Sequence, residues 1–139
     1  MMNPLNFFRR KKAQLLVDDG RIGKTFNLFE NEITIGRLPF LKLKGDGAIV
    51  VKKGKNIFIA NVGTTKNIDP VHAKLHWDKE KKQYVLKNIS SAGTVVNGKK
   101  IQEVLLNDKD QFILRKMELH TQNKSIGKLI TFQILYNTR

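Results

Sequence analysis

Apolar and polar residues alternate with a period of two along most of the chain after Lys12. Phe26 and Leu28 alternate with Thr25 and Asn27, and Ile33 and Ile35 with Glu32 and Thr34. Val71, Ala73, Leu75 and Trp77 share one side of a run whose other side carries His72, Lys74 and His76. Ile130, Phe132, Ile134 and Tyr136 repeat the arrangement against Thr131 and Gln133. Successive side chains of a strand point to opposite faces, so each run predicts a half-buried strand. Turn signals separate the runs at Asp18-Asp19-Gly20, Gly45-Asp46-Gly47, Gly54, Asn97-Gly98 and Asn107-Asp108. Within Leu41–Ala60 the pattern predicts a hairpin of Ala48–Lys52 and Asn56–Ala60. No segment long enough for a helix carries an apolar stripe. The pattern predicts an all-β chain, folded as an antiparallel sandwich or barrel.

Composition narrows this picture. The 139 residues suit one domain, and a hydrophobic share of 40% supports a folded core. With no cysteine, disulfide frameworks and thiolate chemistry are excluded. No apolar run is long enough to span a bilayer as a helix, and the basic cluster follows Phe7-Phe8 where a secretory signal needs the reverse order. The expected location is the cytoplasm. Residues 1–12 read as a basic flexible arm and 13–139 as one domain.

Twenty-six Lys and Arg face 12 Asp and Glu, a formal net charge of +14. Arg9, Arg10, Lys11 and Lys12 account for four of these positives, so most of the excess belongs to the body of the chain. The charge calls for an anionic partner without choosing among nucleic acid, a membrane surface and a phosphorylated protein.

Few residues form a chemical constellation. Gly20-Arg21-Ile22-Gly23-Lys24-Thr25 fails as a phosphate loop, because the first glycine of that motif would fall on Asp18 and the following segment reads as strand. His72 and His76, on one strand face, would stand about 13 Å apart, too far for a shared metal. No metal, cofactor or catalytic set is expected.

Three segments carry more information in combination. Ile33-Thr34-Ile35-Gly36-Arg37 ends a strand, Asp69-Pro70-Val71-His72-Ala73-Lys74-Leu75 opens another, and Asn88-Ile89-Ser90-Ser91-Ala92-Gly93-Thr94-Val95-Val96-Asn97-Gly98 closes on a hairpin turn. Together they resemble a forkhead-associated (FHA) domain from about Gln14 to Tyr136. Leu105–Phe112 resembles a further stretch of that family, with Lys109 where Gly is usual. The resemblance implies an SMAD/FHA-like β-sandwich of about eleven strands, a non-enzymatic module whose loops bind phosphothreonine peptides. It assigns phosphate contact to Arg37, a guanidinium suited to forked donation, with Gly36 allowing a tight backbone path. It assigns support of the loops to His72, Gly93, Asn97 and Gly98, and a peptide-facing position to Thr94.

The departures fall on the binding positions. The Ser that would donate to phosphate is Asp69, and an ionised carboxylate cannot donate. At 4 Å and an effective dielectric near 20, it would repel each unit of phosphate charge by roughly 4 kcal/mol before screening. Pro70 follows it, and Ala92 replaces a peptide-gripping Asn, leaving Ser91 as the neighbouring hydroxyl. Two arrangements are open. Asp69 pairs internally with Arg37, making the site degenerate, or the Asn61–Asn67 loop brings Thr64, Thr65 or Lys66 in as the missing donor. The expected partner is therefore a phosphothreonine-bearing or acidic protein. The alternative is a basic nucleic-acid-binding β domain, which would need exposed stacking aromatics from a chain that is 8% aromatic.

Overall fold

The structure, a computed structural model, describes residues 10–18, 23–38, 50–60, 68–114 and 130–136. The described residues form twelve strands: β1 (Ala13–Asp18), β2 (Gly23–Leu28), β3 (Glu32–Leu38), β4 (Val50–Lys53), β5 (Asn56–Ala60), β6 (Ala73–Asp78), β7 (Gln83–Asn88), β8 (Thr94–Val96), β9 (Lys99–Ile101), β10 (Glu103–Leu105), β11 (Gln111–Ile113) and β12 (Thr131–Tyr136). One sheet runs β2-β1-β12-β11-β8-β9 and the other β10-β7-β6-β3-β5-β4. This is the expected sandwich, with one strand beyond the expected eleven.

The period-two runs bury the faces they predicted. Leu15, Phe132 and Ile134 from the first sheet meet Ile33, Ile35, Ile57, Ile59, Leu75 and Leu86 from the second, all fully buried. Each such side chain is worth about 1.5–3 kcal/mol relative to exposure. Phe112 and Phe132 stack with centroids 4.9 Å apart. Val71 is an exception. It lies ahead of β6 and is 42% exposed, so the strand is shorter than the alternation suggested.

Pairing is antiparallel except for β3 and β5, which run parallel with Ile35 opposite Ile57. An all-antiparallel sandwich was expected. The difference arises because the connection between them contains a whole strand: β4 folds back on β5 through Gly54 (φ 58), reversing the chain a second time. The hairpin read from Ala48–Lys52 and Asn56–Ala60 is thus present as β4–β5. Residues 39–49 and residues 1–9 of the arm lie outside the described residues.

Away from the loops that join β3, β6, β7 and β8, both tyrosines of the chain are spent on the interior. Tyr84 is fully buried and donates to the Glu30 carbonyl at 2.6 Å. Tyr136 donates to the Leu106 carbonyl at 2.7 Å and accepts from the Tyr84 backbone N–H at 2.9 Å. Burial pushes the Tyr136 phenol up to about 12; the Tyr84 N–H opposes this, and the charges of Asp110 and Asp108 add to it. Burial, then the Glu30 charge, drives Tyr84 higher still. Both phenols are therefore protonated in the folded state well past their ordinary value of 10.0. Stability from the neutral phenols is complete below that value and is lost as pH rises toward the folded values. Alkaline titration followed by phenolate absorbance should show no ionisation near pH 10, with signal appearing only as the fold is lost; a normal titration with intact circular dichroism would contradict it.

Candidate functional site

The register brings three segments to one end of the β3-containing sheet. Ile35 pairs with Ala73 and Ala73 with Asn88, so the end of β3, the approach to β6 and the exit from β7 meet. Arg37, Asp69, His72 and the turn Ser90–Gly93 are therefore neighbours although the sequence spreads them widely.

Gly36 is fixed by space. A β-carbon there would lie 1.8 Å from the Pro70 carbonyl oxygen and 2.4 Å from its carbon, both backbone atoms. No side chain can occupy that gap, so Gly36 lets the 68–70 segment lie flat on β3. There the Arg37 N–H donates to the Asp69 carbonyl at 3.0 Å and Arg37 Nε donates to the Ile68 carbonyl at 2.7 Å. Half-buried Arg37 is thus anchored through Nε, and its terminal amino groups have no hydrogen-bond partner among the described residues.

His72 ties this segment to the next one. It is fully buried, and its Nδ1 accepts the Asp69 N–H at 3.1 Å. Nδ1 therefore carries the lone pair, so Nε2 bears the hydrogen and donates to the Gly93 carbonyl at 2.8 Å. Its backbone carbonyl accepts from Ile89 and Ser90 at 2.9 and 3.1 Å. His72 was expected to share a polar strand face with His76; it instead precedes β6 and points inward, while His76 is exposed.

Asp69 does not pair with Arg37. No ion pair joins them, and the Asp69 carboxylate accepts a 2.5 Å hydrogen bond from Ser90 Oγ. The expected internal pair fails because the backbone contact that aligns Arg37 with Asp69 leaves the carboxylate facing the β7–β8 turn. Ser90, which sequence reasoning missed, is the centre of that turn. It is 4% exposed, and its hydroxyl also accepts the Ala92 N–H at 2.9 Å. The available signal was Asn88-Ile89-Ser90, a side-chain-capped turn entry: Asn88 Nδ2 donates to the Ser90 carbonyl at 2.8 Å.

The other expected residues divide into surface and interior. Ser91 is exposed and Ala92 half-buried beside the site. Thr94 is fully buried with its hydroxyl on Asn88 Oδ1 at 2.8 Å, so it shapes the turn from inside. Gly93 (φ 95) supplies the left-handed turn before β8. Asn97 (φ 48) and Gly98 (φ 88) form the two-residue turn of the β8–β9 hairpin, and Asn97 Nδ2 reaches Asp110 at 2.9 Å. Thr64, Thr65 and Lys66 lie outside the described residues.

No described residues group three or more possible metal-ligating side chains. Every described aromatic is buried or half-buried, which leaves the nucleic-acid reading without a stacking surface among these residues. No described helix is long and apolar enough to cross a membrane.

The tightest constraint gives a direct test. Gly36→Ala should destabilise the domain by about 3 kcal/mol or more, because its β-carbon meets backbone that cannot rotate away. Gly23→Ala, with nothing within 4 Å of its β-carbon, should stay within about 1 kcal/mol of the parent in the same urea melts. Equal stability of the two variants would contradict the packing.

The family model for the FHA domain matches residues 33–115. Among solved structures, the chain is similar to the N-terminal FHA domain of S. cerevisiae Rad53p in complex with a phosphothreonine peptide, at 17% identity and TM-score 0.58, covering 90% of this chain and 93% of that one. It is similar to the MEK1 FHA domain at 17% identity and TM-score 0.58, covering 96% and 98%. It is also similar to the FhaA FHA domain complexed with the intracellular domain of Rv3910, at 23% identity and TM-score 0.53, covering 88% and 98%. No curated protein matches the sequence at a significant level. With the matched segment spanning the Gly36-Arg37 strand, the His72 bridge and the Asn97-Gly98 hairpin, the chain belongs to the FHA domain family.

Proposed function

We propose that this chain is a non-catalytic interaction domain that takes a phosphothreonine peptide of a protein partner at its loop end, with Arg37 as the phosphate contact. The observation that carries this reading is the state of Arg37. Nε is held on the Ile68 carbonyl and the backbone on Asp69, while the terminal amino groups have no hydrogen-bond partner among the described residues and can take an anion. A guanidinium fixed in this way loses little conformational freedom when two N–H groups fork onto phosphate oxygens. The phosphothreonine peptide bound by the similar Rad53p domain supports the choice of ligand.

Asp69 weakens phosphate binding without abolishing it. Its carboxylate is turned toward Ser90 Oγ, so its negative charge is stabilised inside the turn and directed away from the guanidinium. The formal charge of +14 favours encounter with a phosphorylated segment.

Titration with a degenerate phosphothreonine peptide library tests this. The parent should bind the phosphorylated library and not its unphosphorylated counterpart. Arg37→Ala should lose at least about tenfold in affinity, in keeping with hydrogen bonds to a charged group. Asp69→Ser should gain several-fold by removing a carboxylate and restoring a donor. Equal binding of both libraries, or indifference to Arg37, would overturn the proposal.

A further inference from the structure

Two positions from which the family would grip a peptide have no donor here, Asp69 and Ala92. Beside them, on the far side of the Ser90–Gly93 turn, a cation is present that sequence reasoning did not single out. Val95 pairs with Lys100 and Val96 with Lys99, so these adjacent lysines of β9 leave the strand on opposite faces. The Lys100 side chain lies over Gly93: a β-carbon on that glycine would stand 2.9 Å from Lys100 Cε and 3.6 Å from Nζ. Gly93 therefore does more than permit a left-handed turn. It leaves the space that the lysine stem occupies, and a β-carbon there would force the end of that flexible side chain to shift.

That ammonium is exposed and has no carboxylate within 4.0 Å among the described residues. Its position relative to Arg37 is set by a chain of hydrogen bonds across the site. The Gly93 carbonyl receives His72 Nε2, His72 Nδ1 receives the Asp69 N–H, and the Asp69 carbonyl receives the Arg37 N–H. Exposed Ser91 and half-buried Ala92 precede Gly93 in the turn and carry no charge.

Resting on the reading of Arg37 as the phosphate contact, we propose that Lys100 is a specificity-determining residue that binds the carboxylate of an Asp or Glu flanking the phosphothreonine. A flexible ammonium on the rim acts as a point charge that tolerates either acid. With Ala92 unable to grip the peptide backbone, selection of partners shifts onto this charge.

The probe is an oriented phosphothreonine peptide library in which each flanking position is Asp or Glu, Gln, or Lys, titrated against the full chain. The parent should favour an acid over Gln at one flanking position by about tenfold, as expected for a charge-assisted contact. Lys100→Gln should erase that preference while leaving peptides with neutral flanks bound within about twofold of the parent. Lys100→Glu should invert it toward Lys at the same position. Lys99→Glu makes the same change in net charge on the opposite face and should leave the preference intact.

A preference that survives Lys100→Glu would overturn the proposal. So would one that Lys99→Glu erases equally, since that is a bulk charge effect. A uniform loss across all flanks in Lys100→Gln would overturn it in favour of direct phosphate contact. If the parent binds no phosphorylated library, or binds it independently of Arg37, the underlying reading of the site falls and this inference falls with it.

Discussion

The loop end is organised by the His72 imidazole, which binds two separate segments with its two nitrogens. One nitrogen receives the amide of Asp69, and the other donates to the carbonyl of Gly93. Both hydrogen bonds lie inside the protein, where an unmade one leaves a buried polar group uncompensated at a cost of about 1–3 kcal/mol. The ring therefore determines where the 68–70 segment and the Ser90–Gly93 turn sit relative to each other. Arg37 on β3 and Lys100 on β9 lie against those segments, Arg37 hydrogen-bonded to the carbonyls of Ile68 and Asp69 and Lys100 packed over Gly93.

Around that bridge the fold separates rigid parts from reading parts. Gly36 presses against the Pro70 backbone, Thr94 is sealed inside against Asn88, and Asn97 pins the hairpin to Asp110. None of these presents a free group to a ligand. Half-buried Arg37 and exposed Ser91 and Lys100 are left to face a ligand. Asp69 shows how the two parts interact: the same residue that lines up Arg37 through its backbone turns its carboxylate inward to Ser90, so a position that would donate to phosphate becomes part of the turn.

Much of this was legible in the chain because periodicity and special residues report different things. Alternation located the inner faces of β2, β3, β6 and β12, since burial on one face forces apolar residues to every second position. Asn97-Gly98 announced the hairpin because both residues must adopt positive φ. Lys109, at φ 73, marks the place where the family's usual glycine would fit without strain. The parallel β3–β5 pair was not legible, because strand direction depends on how many reversals the connection makes. The destination of the Asp69 carboxylate was also hidden. Charge alone matched it to Arg37, whereas the backbone hydrogen bonds of the 68–70 segment decided which way it faces. Lys100 escaped notice for a related reason: in a chain with 26 bases, one lysine stands out only after a glycine is found beneath it.

The bridge itself can be observed in solution by nitrogen-15 NMR of the histidine rings, read together with hydrogen exchange of the Asp69 amide. With the two loop segments tied as described, His72 should hold its hydrogen on Nε2 and leave Nδ1 bare. The Asp69 amide should then exchange as slowly as the core amides of Ile35 and Leu75. A hydrogen on Nδ1, or an Asp69 amide exchanging at the rate of an open loop, would contradict the claim that His72 holds the site together.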